Sequence, residues 1–218
     1  MTSNMMRILS FLVLSLFIAK NAFAVDYPFP LPVDPDKLPL SAVVETAKGK
    51  FEIEFFTKSA PVTVRNFQHL VESHYYEGKP FHKVTPGFAI EGGDPKGDGT
   101  SSLGYTLPPE TSGPAHKKGW IGMTRRGDEV NPQRRSNAIL FYIILADSAP
   151  HMDGFYSAFA RVLNGIEVLD TLTRNDKIIK ISFTKDFTGD VSSSQEETPT
   201  EMAARMLGKR PPTNNPFG

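Results

Sequence analysis

The sequence predicts a mainly β protein, a closed antiparallel barrel with α-helices covering its ends. Three observations point to this fold class. Strand-like segments recur along the chain, only two segments have the spacing of an amphipathic helix, and 39% of the 218 residues are apolar. That fraction is enough for a sizeable core. The predicted elements all fall within 41–183, which we assign to one globular domain.

In the first half of this domain the sequence predicts two pairs of strands separated by a helix. Apolar residues alternate with glutamates over 51–55, which predicts a half-buried strand paired in a hairpin with 43–46. A helix then begins at Pro61, a residue suited to the first helical turn, with an apolar stripe within 64–71. The apolar block 81–90 is broken by a Pro-Gly pair, as expected for two further strands.

The second half begins with a long loop and continues as strands. Segment 91–118 is rich in glycine and proline, and a loop of this length in a compact domain is usually functional or wraps the surface. The apolar run 139–145 is short and rich in β-branched residues, which favours a buried strand over a helix. A second helix, with the stripe Ile166, Leu169 and Leu172, follows Asn164-Gly165. The remaining predicted strands are 120–123, 158–162 and 178–183.

The two ends of the chain are not expected to belong to the barrel. A basic residue, an apolar run at 8–18 and the triplet Ala22-Phe23-Ala24 follow the order of a signal peptide, which predicts cleavage after 1–24. The run is too short for a stable membrane anchor, so we expect no membrane insertion after cleavage. Segment 25–40 contains five prolines and predicts a linker, and 184–218 is polar and predicts a disordered tail. We expect a monomer exported to the periplasm or the extracellular space.

Composition excludes several chemistries. The chain has no cysteine, which rules out disulfides, thiolate catalysis and iron–sulfur clusters, and its formal net charge is zero, which argues against nucleic acid as a partner. The five histidines lack metal-ligand spacing and are expected at the surface or at caps. Segment 94–99 looks like half a calcium loop, but Lys96 occupies a ligand position, so we expect a turn. We expect neither a metal nor a cofactor.

Segment 81–94 carries the most specific pattern, Phe-His-Lys-Val-Thr-Pro-Gly-Phe-Ala-Ile-Glu-Gly-Gly-Asp. It resembles the cyclophilin signature, whose usual form is Phe-His-Arg-hydrophobic-x-Pro-Gly-Phe-x-hydrophobic-Gln-Gly-Gly-Asp. The resemblance implies an eight-stranded barrel capped by two helices. It also implies peptidyl-prolyl cis–trans isomerase activity on X–Pro bonds of unfolded or exported polypeptides. Further similarity follows in order at 60–67, 104–110, 119–123, 136–143 and 152–159.

The resemblance also implies roles for individual residues. Members of the family hold the proline ring in an apolar pocket, anchor the peptide beside it, and donate a hydrogen bond from a guanidinium to the prolyl nitrogen. Matched by motif, the catalytic positions are Lys83, Phe88 and Glu91, and the substrate-binding positions are His82, Ala89, Thr124, Arg125, Leu140, Tyr142, Met152 and Tyr156.

Several of these positions depart from the family pattern. Lys83 keeps the cation but loses the planar donor fork of arginine. Glu91 and Leu140 stand where glutamines are usual, so one position cannot donate when ionised and the other loses its side-chain anchor. Ala89 is expected to widen the pocket, and His151 stands where a tryptophan is often found. We expect Lys83 to pair with Glu91 across the Pro-Gly turn and the activity to be reduced.

Three functions therefore stay open. The first is a prolyl isomerase with a modified active site. The second is a non-catalytic module or chaperone that binds proline-containing peptides or unfolded polypeptides on the same barrel. The third is a barrel with an unrelated ligand, since a fold does not determine a function.

Overall fold

The computed structural model describes residues 26–184, so the predicted signal peptide and almost all of the predicted tail lie outside the described residues. No helix in this range is long and apolar enough to cross a membrane. The helices are α1 (Pro61–Glu72) and α2 (Ile166–Leu169), with short 3-10 turns at Pro35–Lys37 and Pro150–Met152. In chain order the strands are β1 (Ser41–Thr46), β2 (Gly49–Phe55), β3 (Phe81–Thr85), β4 (Ala89–Gly92), β5 (Thr106–Leu107), β6 (Trp120–Met123), β7 (Ser136–Asn137), β8 (Phe141–Ile144), β9 (Ala158–Asn164) and β10 (Ile178–Phe183).

Every predicted strand of the main sheet is present, but one strand and one helix are shorter than expected. β8 starts two residues later than predicted because the Asn137 side chain accepts the N–H groups of Ile139 and Leu140 and holds them in a turn. α2 ends after one turn because the Val168 carbonyl accepts both the N–H and the hydroxyl of Thr171, which closes the helix as a tighter turn.

The main sheet has eight antiparallel strands in the order β10-β1-β2-β9-β6-β8-β4-β3. Within residues 26–184 its edge strands β3 and β10 share no ladder, so the sheet is an open half-barrel and the predicted closure is not confirmed. Backbone hydrogen bonds between segments 78–81 and 175–178 and an isolated bridge at Pro80 join the two edges. Proline has no N–H to donate, so a ladder cannot continue through this residue.

The core lies between α1 and the concave face of the sheet. Phe51, Ile53 and Phe55 of β2 are buried while the glutamates between them are half exposed, as the alternation predicts. Phe67 of α1 packs against aromatic rings from several elements, with centroids 5.1 Å from Phe159 and 4.9 Å from Tyr76. Aromatic packing between helix and sheet therefore holds the two layers together.

The Pro-rich segment predicted as a linker is packed on the domain over 26–40. Phe29 and Leu38 are buried, because the segment carries apolar side chains that gain from leaving water. The Tyr27 hydroxyl accepts a hydrogen bond from the Arg135 guanidinium (3.0 Å) and donates to the Thr106 carbonyl (3.3 Å). The segment is thus tied to the loop ahead of β7.

The predicted turn at Asp94 is present. Its carboxylate accepts the N–H groups of Lys96, Asp98 and Thr100 at 3.0–3.2 Å, and that of Gly99 as well. Burial by itself raises the pKa of Asp94, but these hydrogen bonds hold the pKa below its ordinary value. The lone pairs that a cation would need are already used within the turn.

Glu110 caps the start of α1 from a distant loop. The residue before the helix, Ala60, offers no side-chain cap. The Glu110 carboxylate instead accepts the N–H groups of Val62 (2.9 Å) and Thr63 (2.8 Å), and the Thr63 hydroxyl (2.7 Å). This carboxylate satisfies N–H groups that have no partner inside the helix.

Replacing Glu110 by alanine is expected to lower the free energy of unfolding by about 2 kcal/mol, because the helix start loses its cap and buried donors lose their acceptor. Glu110→Gln should cost less, since one acceptor oxygen remains. Urea unfolding followed by circular dichroism measures both, with Glu129→Ala as the control at an exposed glutamate. Equal stability of the Glu110 and Glu129 variants would contradict this role.

Candidate active site

A second apolar cluster lies on the opposite side of the sheet from the main core. It is formed by Ala89, Tyr142, Ile144, Ala149 and Met152. In the β4–β8 register, Ala89 faces Ile144 and Glu91 faces Tyr142. Side chains alternate along a strand, so the intervening residues of both strands point into the core and these four point to the other face.

A cavity of about 210 Å³ opens over this cluster. It is several times larger than the ~30 Å³ that one water takes in the liquid, so it can hold a small apolar ring. Phe88 forms its rim and is 40% exposed, so its ring is accessible to a ligand in the cavity. The lining residues are Phe88, Ala89, Glu91, Thr124, Arg125, Tyr142, His151, Met152 and Tyr156.

The turn between β3 and β4 fixes the position of Phe88. Gly87 has φ +70°, a conformation that other residues rarely adopt, and this lets the chain reverse within three residues. The Phe88 carbonyl accepts the N–H groups of Leu145 (2.8 Å) and Ala146 (3.2 Å), which holds its backbone against the end of β8. The ring lies parallel to that of His151, with centroids 6.0 Å apart.

A buried hydrogen-bonded chain holds Tyr142, which forms the floor of the cavity. Its hydroxyl lies 2.7 Å from His116 Nε2, and His116 Nδ1 lies 2.8 Å from Asp153 Oδ1. His116 is only 2% exposed, so its predicted surface or capping position is wrong. The hydroxyl passes over Gly122, where a Cβ atom would lie 2.1 Å from the Tyr142 oxygen, and only glycine leaves that space.

The pKa shifts of Tyr142 and Asp153 indicate which atoms of this hydrogen-bonded series carry the protons. Burial raises the pKa of Tyr142 well above its ordinary value, so the hydroxyl keeps its proton and donates to His116 Nε2. His116 Nδ1 then donates to Asp153, a tautomer assigned from the network. The backbone N–H of His116, followed by its ring, lowers the pKa of Asp153, although burial acts in the opposite direction.

The predicted pair of Lys83 and Glu91 is present at the edge of the cavity. Lys83 Nζ donates to Glu91 Oε1 at 2.6 Å, and the two residues face each other in the β3–β4 register. The Lys83 side chain is 59% exposed and does not line the cavity, whereas Glu91 does. The cation therefore reaches the rim already partnered by a carboxylate.

His82 lies behind Glu91 rather than at the border of the groove. It is buried, its Nε2 is 3.9 Å from Glu91 Oε2, and its Nδ1 has no partner among the described residues. Burial lowers the pKa of His82, although the Glu91 charge acts to raise it. His82 is not among the residues that line the cavity.

Thr124 and Arg125 lie between this cavity and a larger groove of about 860 Å³. The Thr124 backbone is occupied, since its N–H donates to Leu140 and its carbonyl accepts from Asn137. No backbone hydrogen bond within 26–184 uses the N–H or carbonyl of Arg125, so its backbone is available to a peptide. Leu140 lines the larger groove and not the cavity.

Of the eleven residues assigned by resemblance, the cavity brings together eight: Phe88, Ala89, Glu91, Thr124, Arg125, Tyr142, Met152 and Tyr156. Of the other three, Lys83 lies at the edge of the cavity, His82 is buried near Glu91, and Leu140 lines the neighbouring groove. Sequence reasoning assigned no role to His116 or Asp153, which position Tyr142. The only indication in the sequence was indirect: Tyr142 was expected to be buried, and a buried tyrosine hydroxyl needs a hydrogen-bond partner.

Comparisons with known proteins point to one family. Residues 41–191 match the family model described as cyclophilin type peptidyl-prolyl cis-trans isomerase/CLD. A peptidyl-prolyl cis-trans isomerase of Synechococcus elongatus is 33% identical over 147 residues, which is 66% of this chain and 97% of that protein. Peptidyl-prolyl cis-trans isomerase B of Bacillus subtilis is 33% identical over 130 residues, or 59% of this chain and 86% of that protein.

Solved structures give the same result. The crystal structure of a cyclophilin type peptidyl-prolyl cis-trans isomerase of Cryptosporidium parvum matches with a TM-score of 0.61 and 25% identity, over 68% of this chain and 99% of that one. A crystal structure of the same protein in the presence of the dipeptide Ala-Pro matches with a TM-score of 0.61 and 26% identity, over 67% of this chain and 99% of that one.

Replacing Asp153 by asparagine tests the hydrogen bonds through His116 that hold Tyr142. A carboxylate whose folded pKa is lowered stabilises the fold above its unfolded pKa, about 3.8, and this stabilisation is lost as the pH falls through the folded value. The difference in free energy of unfolding between the wild type and Asp153→Asn should be full above about pH 5 and shrink below about pH 3.8.

Urea unfolding across this pH range measures the difference. Asp147→Asn is the control, because Asp147 is exposed and has no hydrogen-bonded side chain among the described residues. A difference for Asp153→Asn that stays constant down to about pH 3 would show that the carboxylate charge does not hold His116.

Proposed function

The chain belongs to the cyclophilin-type peptidyl-prolyl cis-trans isomerase family, and we propose that it isomerises X–Pro bonds in the cavity beside Phe88. One observation carries this proposal. Phe88, which the resemblance assigns as a catalytic position, lines a single cavity with Ala89, Tyr142 and Met152, which it assigns as substrate-binding positions.

The reaction needs neither a nucleophile nor a metal. Rotation about an X–Pro bond is slow, with an activation energy of ~20 kcal/mol, because the twisted bond loses amide resonance. A catalyst must therefore bind the twisted form more tightly than either planar form, and each tenfold in rate requires about 1.4 kcal/mol of such preference.

The walls of the cavity supply the first part of this preference. The Phe88 ring at the rim and the Met152 side chain hold the proline ring and exclude water. Tyr142 lies beneath it, held by His116, and meets Tyr156 edge to face with centroids 5.9 Å apart. With the proline ring fixed, rotation is confined to the peptide segment that precedes it.

The second part is a donor for the prolyl nitrogen, whose lone pair becomes available only as resonance is lost. Lys83 takes this role in our proposal. Its ammonium is held at 2.6 Å by Glu91, so it must leave a carboxylate to reach the substrate. Exposed ion pairs contribute about 1 kcal/mol or less, so the exchange is feasible, but we expect it to reduce the rate.

The proposed substrates are unfolded or exported polypeptides that contain proline. Support comes from the sequence, in which the first 24 residues have the pattern of a signal peptide. In the periplasm or the extracellular space, slow X–Pro isomerisation limits the folding of newly exported chains.

Phe88→Ala is expected to lower kcat/KM for a proline peptide by tenfold or more, because the cavity loses the ring at its rim. NMR exchange spectroscopy on a short X–Pro peptide measures the cis–trans rate directly. Phe155→Ala is the matched control, since Phe155 is exposed to a similar degree, 39% against 40%, and does not line the cavity.

The wild-type result separates the two leading functions. A rate no faster than the uncatalysed one would contradict the isomerase proposal. The tight pair of Lys83 and Glu91 favours a binding module as the second candidate, because a neutralised cation need not prevent binding. Peptide binding that is lost in Phe88→Ala, without acceleration by the wild type, would establish that candidate.

Lys83→Arg is expected to raise kcat/KM several-fold, because a guanidinium can keep one donor on Glu91 and direct another at the prolyl nitrogen. The same exchange assay measures the change. Lys180→Arg, at an exposed position of β10, is the control. An unchanged or lower rate would show that reduced activity does not originate at Lys83.

A further inference from the structure

We propose that the groove beside the cavity selects substrates with an acidic side chain close to the proline. This inference rests on the proposed function, because it names a substrate class for the same site. The groove measures about 860 Å³ and shares Thr124 and Arg125 with the proline cavity. An extended peptide advances about 3.3 Å per residue, so residues within a few positions of a bound proline enter the groove.

Three arginines give the groove a positive lining. Arg125, Arg126 and Arg135 all line it, and Asp26 is the only acidic residue among its described lining residues. Low-dielectric walls strengthen the field of such a cluster and favour a carboxylate over a neutral or basic side chain.

Arg135 is held in place without being neutralised. Its guanidinium donates to the Thr106 hydroxyl (2.6 Å), the Thr106 carbonyl (2.6 Å) and the Tyr27 hydroxyl (3.0 Å), all of which are uncharged acceptors. Its full charge therefore remains at the groove in a fixed geometry, which lowers the entropy lost on binding a carboxylate.

Arg125 has an unused donor where the two pockets meet. Its side chain is 7% exposed, and its Nε has no hydrogen-bond partner among the described residues. The guanidinium lies over the Tyr156 ring, 4.7 Å from the centroid, and Asp128 pairs with Nη1. A buried donor without an acceptor is costly, and a peptide oxygen entering between the pockets would satisfy it.

Arg126 supplies an exposed charge at the same groove and has no ion pair within residues 26–184. A carboxylate can be bound by two parallel hydrogen bonds from such a guanidinium, whereas a glutamine side chain offers one neutral acceptor. The groove therefore distinguishes a glutamate side chain from a glutamine side chain of the same size by its charge.

Short proline peptides that differ at one position test the proposal. Glu, Gln or Lys is placed one or two residues from the proline, and NMR exchange spectroscopy gives kcat/KM for each peptide. In low salt the best Glu peptide should exceed its Gln counterpart about fivefold, and Lys should be poorest. The Glu advantage should shrink as the ionic strength rises, because screening weakens exposed pairs.

Arg126→Gln and Arg135→Gln should each reduce the ratio of kcat/KM for Glu over Gln peptides. Arg126 forms no side-chain hydrogen bond or ion pair with the described residues, so its replacement should not affect folding even if Arg135→Gln does. Arg174→Gln removes the same charge at an exposed position outside the groove, and should leave the ratio unchanged.

The outcomes separate this proposal from the proposed function. Acceleration of all peptides without a Glu preference, or a preference that Arg126→Gln and Arg135→Gln leave intact, would overturn the acidic selectivity while the isomerase stands. If no peptide is accelerated, the isomerase proposal fails. The same series then tests selectivity as binding, measured by chemical-shift titration.

Discussion

Burial of β8 on both faces is the constraint on which the rest of the structure depends. Phe141 and Ile143 belong to the main core, and Tyr142 and Ile144 belong to the second apolar cluster, over which the cavity opens. A slip of one residue in its pairing would exchange these two sets and place a tyrosine in the core. The antiparallel partners on either side, β4 and β6, fix the register, and Gly122 of β6 leaves room for the Tyr142 hydroxyl.

The polar groups around the cavity fall into two kinds of interaction. The chain from Tyr142 through His116 to Asp153 is largely buried and holds an apolar surface in place, so the floor of the cavity is organised before substrate arrives. The pair of Lys83 and Glu91 is exposed and can be exchanged for contacts with a substrate. A fixed apolar floor thus lies beside a solvent-accessible ion pair.

Residues outside the family match help to shape the site. The match begins at residue 41, yet Asp26 lines the groove and Tyr27 fixes Arg135. The Pro-rich segment therefore forms part of the wall of this groove. Differences in such a segment can change substrate choice while leaving the barrel and the proline cavity as they are.

The sequence by itself determined the strands, α1 and most of the cavity lining, because alternation, helical spacing and a dense motif are local patterns. It also predicted the pair of Lys83 and Glu91, since a short turn brings these residues together. Only the tertiary structure decided that the sheet stays open, that Glu110 caps α1, and that His116 and Asp153 hold Tyr142. These interactions join residues 26 to 48 positions apart, or strand edges farther apart still. Periodicity within a short stretch of sequence does not reveal such contacts, because they depend on how the whole chain is packed.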